Sequence, residues 1–332
     1  MENPKIAVLG NGSWATALMK MLTENNEQVG WYIRTPYTLE YIRLHGHNPK
    51  YVPSIELDVE RLFMSNDVNE VVEWADFLIV AIPSAYVKQV LDKIEVPLDE
   101  KFIFSAVKGI IPESLLILGE HLVRFHGVLK ERVGVIAGPC HAEEVAMERL
   151  SYLTIGTAKK RYARLMASAL ETDYIKTTVS KDVEGIEWAA VLKNIYAVAS
   201  GIAHGLGYGD NFQAVLVSNA IREMRRFIKH NVDKKKRNIM KSAYLGDLLV
   251  TAYSVFSRNR MFGNMIGKGY TVKSAMMEMT MVAEGYYAAK SAFLINEERG
   301  KARIPIIKGI YEILYENKSA KKVMRQIAEE MD

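Results

Sequence analysis

Lys193 stands out by contrast with its surroundings, because it is the only full charge between Trp188 and Gly209. At helical spacing, Ile186, Ala189, Ala190, Lys193 and Ala197 share one face, and Val191, Leu192, Ile195 and Val198 share the other. A helix that is apolar all round is buried. Lysine is costly there unless paired, and desolvation lowers its pKa toward the range useful for general acid–base work near neutral pH. Asn194 adds a second polar group where packing alone wants neither. Further on, Ser257-Arg258-Asn259-Arg260 combines a guanidinium fork with amide donors beside a helix, which can hold a phosphate. Asp247 in Leu245-Gly246-Asp247 and Thr251 lie between the two groups, and Glu284-Gly285 interrupts a methionine-rich stretch so that a carboxylate can face a cleft. Met276, Met277, Met279 and Met281 read as adaptable core.

A second kind of chemistry opens the chain. The run Ile6–Leu9 reads as a buried strand and Ser13 onward as a helix, with Gly10, Gly12 and Ala15 between them as G-x-G-x-x-A. Gly10 allows a tight turn, Gly12 leaves room for a pyrophosphate against backbone, and Ala15 lets helix and strand pack closely. The helix N-terminus offers N–H groups to phosphate. The second strand, Gln28–Ile33, ends in Arg34-Thr35 without the carboxylate that marks NAD use. Arg34 therefore favours NADP(H) through its 2′-phosphate, with NAD(H) still usable. The other readings of Arg34 are a plain surface residue or one stacking on adenine.

These side chains need a scaffold. Phe77–Ile82, Phe102–Val107 and Arg132–Ala137 are further apolar runs, and segments near Leu153–Thr157, Lys160–Leu170 and Tyr174–Val179 complete a first domain. Strands alternating with helices predict an α/β, Rossmann-like, doubly wound parallel sheet whose ligands bind outside the carboxyl ends of its strands. Gly10, Ser84, Lys108 and Gly138 fall at such ends, with Ser84 expected to cap the helix Ala85–Ile94. Cys140 precedes a helix but has no base at nucleophile spacing, so it reads as a small pocket residue. From Asp182 long helices take over. The expected division is residues 1–180 as a dinucleotide-binding domain and 181–332 as an all-α substrate and catalytic domain.

The loops are read more plainly. His45-Gly46-His47-Asn48-Pro49 is expected to be an exposed loop, since no further ligand joins the histidines at metal spacing. Gly201–Asn211 is expected to be a glycine loop that lets backbone approach a ligand or another subunit, with His204 as a turn residue. Val272–Leu294 reads as one helix, and Lys234–Arg237 as a solvated basic loop.

Bulk properties narrow the class. A chain of 332 residues, 49% hydrophobic, buries a large core, and a formal charge of +4 suits a small anionic substrate far better than nucleic acid. One cysteine excludes an internal disulfide framework. The opening MENPKIAVLG lacks a signal-type apolar segment and no stretch is built to span a bilayer, so a cytoplasmic protein without membrane insertion is expected.

Taken in order, GNGSWATA from Gly10, VKG at Val107–Gly109, GPCHAEE at Gly138–Glu144, LKN at Leu192–Asn194, LGD at Leu245–Asp247 and SRNRMFG at Ser257–Gly263 resemble the NAD(P)-dependent glycerol-3-phosphate dehydrogenase family over nearly the full chain. Ala15 replaces the family's usual glycine. Cys140 replaces its threonine, which removes a hydroxyl and leaves backbone contacts from Gly138 and Ala142. The resemblance implies that Lys193 is the general acid/base at the substrate's C2 oxygen and that Lys108 and Asp247 orient it and set its charge state. Asn194, Thr251, Gly138 and Cys140 would stand nearby, and Ser257, Arg258 and Asn259 would hold the phosphate. Gly10, Gly12, Ser13, Trp14, Arg34, Lys108, Ala142, Arg258, Val282 and Glu284 would line the cofactor site. It further implies a homodimer that interconverts dihydroxyacetone phosphate and sn-glycerol 3-phosphate for phospholipid synthesis. Two readings compete with it. One is a two-domain dehydrogenase of a hydroxy acid or hydroxyacyl thioester. The other is a non-catalytic NADP(H)-sensing module, which would need none of Lys193, Lys108, Asp247 and Arg258.

Overall fold

The computed structural model describes residues 3–279 and 281–331. These form two compact units: the chain up to Val107 with Leu116–Val183, and Lys108–Leu115 with the chain from Glu184 onward.

The first unit is built on an eight-stranded sheet of β1 (Ile6–Leu9), β2 (Val29–Tyr32), β3 (Leu62–Ser65), β4 (Phe77–Val80), β5 (Phe102–Ser105), β6 (Val133–Ala137), β7 (Ser151–Thr157) and β8 (Ile175–Ser180). Its order is β3-β2-β1-β4-β5-β6-β7-β8. Chain order reverses between β1 and β4, and such a switch point is where doubly wound sheets take ligands. The helices are α1 (Ser13–Asn25), α2 (Pro36–His45), α3 (Val68–Trp74), α4 (Ser84–Leu91), α5 (Leu118–Phe125), α6 (Ala142–Ala146) and α7 (Lys160–Leu170). The central strands β1, β4 and β5 are buried along their whole lengths, as uninterrupted apolar runs require.

Three expectations are corrected here. The sheet is not wholly parallel, because β7 runs antiparallel to β6 while β8 runs parallel to β7. The strand β3 has no counterpart in the sequence reading. It is an edge strand, half-exposed over Leu62–Met64, so it carries no unbroken apolar run. Ser84 is not a cap: Pro83 holds the N-cap position of α4, no side chain caps it, and Ser84 is the buried first residue of the helix.

The second unit is helical: α8 (Val183–Gly205), α9 (Asp210–Asn231), α10 (Asp247–Tyr253), α11 (Arg258–Gly267), α12 (Val272–Glu278), α13 (Glu284–Ile295), α14 (Pro305–Tyr315) and α15 (Ala320–Glu329), with π-helical turns at Ser242–Gly246 and Asn296–Gly300. The long α8 is buried from Gly185 to Ala203. The expected glycine loop is therefore half helix, since α8 continues to Gly205. A Cβ on Gly201 or Gly205 would strike the backbone of α11 at Arg260 and Asn264, and one on Gly263 or Gly267 would strike α8 at Val198 and Ile202. Paired glycines four residues apart thus let two helices meet backbone to backbone. The expected helix Val272–Leu294 is two helices, α12 and α13. No helix among the described residues is long and apolar enough to cross a membrane.

Candidate active site

In the first unit the functional positions gather at the carboxyl edge of the parallel strands. Gly10 leaves β1 at φ +120°, and a Cβ there would lie 2.6 Å from the Ala81 carbonyl oxygen, so the turn accepts only glycine. Gly12 is the N-cap of α1, with no side-chain cap and no protein atom within 4 Å of a would-be Cβ. Space left empty by the protein beside a helix N-terminus suits a pyrophosphate, so these residues fit a dinucleotide. Ser13 and Trp14 open α1. The turn is braced from behind. Trp31 Nε1 donates to the Gly10 carbonyl at 2.6 Å, and Asn48 Nδ2 donates to the Asn11 carbonyl at 3.1 Å and to Thr16 Oγ1 at 2.9 Å.

Asn48 corrects the reading of residues 45–49 as an exposed loop, for it is wholly buried. Its Oδ1 also accepts from the backbone N–H groups of Lys50 and Tyr51, so one amide shapes its own loop and holds the glycine turn. No spacing or composition in the sequence marks that role.

Arg34 is exposed just past β2. The acid nearest in sequence past the neighbouring β3, Asp67, already serves as the N-cap of α3, accepting from Asn69 N at 2.8 Å. Gly138, past β6, has φ +137° and would collide with the Tyr152 carbonyl oxygen if given a Cβ. Cys140 and Ala142 follow, both buried.

The second unit places the remaining residues in one connected group centred on α8. Lys193 Nζ pairs with Asp247 Oδ1, the two residues being 3% and 1% exposed. No donor among the described residues reaches Asp247 Oδ2, which is also buried. A buried ion pair with an acceptor oxygen to spare costs the fold stability, so it calls for a reason other than packing. Next to it, Asn194 Nδ2 donates to the Lys108 carbonyl at 2.7 Å. The start of α13 also touches α8 here, where a Cβ on Gly285 would lie 2.6 Å from the Asn194 carbonyl oxygen. Gly285 N donates to Asn259 Oδ1 at 2.8 Å, which ties α11 to α13 one residue after Glu284. Arg258 Nη1 lies 3.6 Å from Met281 Sδ, one residue before Val282. Ser257 caps α11 by accepting from Arg260 N at 3.3 Å. Thr251 Oγ1 donates to the Asp247 carbonyl at 2.6 Å.

Two residues absent from the sequence reading hold Asp247 in place. Helix α10 has seven residues, too few to hold itself, and its last carbonyls need outside donors. Ser200, two turns along α8 from Lys193, lies 2.8 Å from both the Ala252 carbonyl oxygen and Gln213 Oε1, so one hydroxyl proton serves two acceptors. Gln213 Nε2 returns a bond to the Ser200 carbonyl at 3.0 Å. So α10 is fastened to α8 at both its ends, by the ion pair and by Ser200. A serine inside an apolar helix was the available signal.

Comparison with known proteins gives a consistent set of matches. Residues 5–163 match the N-terminal part, and residues 182–325 the C-terminal part, described for NAD-dependent glycerol-3-phosphate dehydrogenase. A glycerol-3-phosphate dehydrogenase (NAD(P)+) of Oceanobacillus iheyensis is 32% identical over 97% of this chain and 93% of its own. That of Citrifermentans bemidjiense is 33% identical over 97% of this chain and 96% of its own. The crystal structure of the Coxiella burnetii glycerol-3-phosphate dehydrogenase has a TM-score of 0.89 at 25% identity, covering 99% of this chain and 100% of that one. The Plasmodium falciparum glycerol-3-phosphate dehydrogenase structure, at 23% identity, shares the fold with a TM-score of 0.85 over 97% of this chain and 94% of that one.

Proposed function

We propose that this chain, which belongs to the NAD-dependent glycerol-3-phosphate dehydrogenase family, reduces dihydroxyacetone phosphate to sn-glycerol 3-phosphate and runs the reverse oxidation, with NADP(H) favoured over NAD(H). The observation that carries the reading is the buried Lys193–Asp247 pair, whose lysine is the only full charge of α8 from Trp188 to its end.

A reduced nicotinamide cofactor supplies the hydride that C2 of the substrate receives. The proton that completes the new hydroxyl comes from Lys193. As the carbonyl oxygen gains negative charge, the Lys193 ammonium stabilises it and gives up its proton. Asp247 fixes the amine's position and favours its charged form before the transfer. In the oxidation direction the same amine takes the proton back. Lys108 adds a second cation, and Asn194, by holding the Lys108 carbonyl, sets where that loop lies. Arg258 and Asn259, in the first turn of the ten-residue α11, grip the substrate phosphate with a guanidinium fork and helix N–H groups. Holding the phosphate keeps a three-carbon substrate in one orientation.

For the cofactor, Gly12 and the start of α1 take the pyrophosphate, and Arg34 takes the 2′-phosphate that no carboxylate at the end of β2 would repel. The test is oxidation of NADPH and NADH by the purified protein with dihydroxyacetone phosphate, beside a panel of 2- and 3-oxo acids. Turnover confined to the phosphate substrate, with higher kcat/KM for NADPH, is expected. Turnover of an oxo acid instead would overturn the substrate, and a preference for NADH would overturn the role of Arg34.

A further inference from the structure

Charge is unevenly distributed along this chain. Residues 222–241 hold nine of the 43 lysines and arginines and two of the 39 acids, so the rest of the chain carries 34 bases against 37 acids. The entire formal positive charge therefore sits in one short stretch, most of it exposed. On α9, Arg222, Arg225 and Lys229 follow at steps of three and four on the exposed face, while Met224, Phe227 and Ile228 are buried. The chain beyond α9 continues the stripe with exposed Lys234, Lys235 and Lys236.

The two acids of the stretch offset little of this charge at the surface, Asp233 pairing with one exposed lysine, Lys235, at 3.0 Å. Glu223 is wholly buried and accepts from Ile306 N and Ile307 N at the start of α14. Asp233 is clasped by Arg237 at 2.5 and 2.9 Å, and the Arg237 side chain is only 6% exposed. With Asp233 shared between Arg237 and Lys235, Lys234 and Lys236 stay exposed on either side of the pair. The adjoining turn Asn296–Gly300 brings Glu297 and Glu298, which Arg299, Lys301 and Arg303 outnumber.

At the tip of the segment Met240 is 65% exposed, between Lys236 and Lys241. A flexible apolar side chain set among lysines suits the boundary between headgroups and acyl chains of a membrane. Nucleic acid would call for aromatic platforms among the bases, and the one aromatic of the stretch, Phe227, is buried. A second copy of this chain is also a poor occupant, because a two-fold contact would set the basic stripe against itself.

We propose that residues 222–241 form a docking surface for an anionic lipid bilayer, on which the protein adsorbs without spanning it. The lysines meet headgroup phosphates and Met240 enters the interface. None of these residues belongs to the proposed active site, so the inference stands apart from the reading of catalysis.

The experiment is flotation of the full-length protein with vesicles of phosphatidylcholine alone and of phosphatidylcholine mixed with phosphatidylglycerol, at low and high salt. Binding to the phosphatidylglycerol vesicles, weakened by salt, is expected. The Lys234→Gln/Lys235→Gln/Lys236→Gln variant should lose about 100-fold in partitioning, on the scale of a few-fold per surface base. Met240→Ser should lose about threefold, the smaller share of one apolar side chain. Both variants should keep dehydrogenase turnover, which shows that they fold. Equal binding to the two vesicle types, full binding by the triple variant, or tighter binding to a single-stranded RNA oligonucleotide than to the vesicles would each overturn the proposal.

Discussion

At Gly12 a Cβ would meet no protein atom within 4 Å, whereas at Gly201 and Gly205 it would run into the backbone of α11. Both stretches are glycine-rich, and the sequence invites one explanation for both: backbone made available to a ligand. The first unit's glycine leaves open space at a helix N-terminus, as that explanation requires. The second unit uses glycine to bring α8 and α11 together, and these two helices carry Lys193 and Arg258. Glycine in the first unit thus leaves open space, where the proposed cofactor phosphate would lie. In the second it sets the spacing of the helices that carry the charged side chains of the proposed site.

Substitutions at these positions separate the two uses. The largest effect is expected from Gly201→Ala, whose methyl group would press on backbone at Arg260 and Asn264. Backbone cannot give way as a side chain tip can, so a stability loss of about 3 kcal/mol in denaturant unfolding is expected. A loss near zero would mean that the helices are not in backbone contact. Arg258→Ala tests the charged side chain that this packing supports. It should raise KM for dihydroxyacetone phosphate by roughly 30-fold, on the scale of a charge-assisted phosphate contact. Gly12→Ala should leave stability within ~1 kcal/mol, since φ −77° suits alanine, yet weaken NADPH binding by about tenfold through crowding of the pyrophosphate. Unchanged cofactor affinity there would remove Gly12 from the phosphate site.

A pH-dependent effect concerns stability alone. Burial pushes the Glu223 carboxyl up to about 7, against the opposing pull of the Ile306 and Ile307 N–H groups. Its ordinary value is 4.5, so between pH 4.5 and 7 the folded protein keeps a proton that the unfolded chain has released. Stability from this residue is therefore complete below that window and falls as pH rises through it, by about 3 kcal/mol. Thermal unfolding should show this decline in the wild type and a flatter profile in Glu223→Gln. Parallel profiles would show that Glu223 does not hold its proton in the folded state.

The sequence exposed these features unequally, for physical reasons. Buried central strands such as Phe77–Val80 announce themselves as unbroken apolar runs, and the turn at Gly10 and Gly12 is a local pattern whose flanking elements follow in sequence. Direction within a sheet leaves no such trace, so the reversal at β7 was invisible, as was the half-exposed edge strand β3. In the second unit, the apolar setting of Lys193 shows that it needs a partner. Nothing local says that the partner is Asp247, 54 residues away, and the family resemblance supplied it. The glycine pairs at 201, 205, 263 and 267 are visible as spacing. Glycine's low helix propensity made the first pair look like a loop, whereas close packing made it helix. Asn48 and Gln213 act through long-range hydrogen bonds, which residue type alone does not reveal.

The most direct test of the central claim is the turnover of Lys193→Ala with dihydroxyacetone phosphate at saturating NADPH, alongside NADPH affinity measured by fluorescence. If the buried amine moves the proton at C2, kcat falls by at least ~100-fold while NADPH still binds as in the wild type. Turnover close to the wild-type rate would contradict that role and leave the Lys193–Asp247 pair as a piece of architecture.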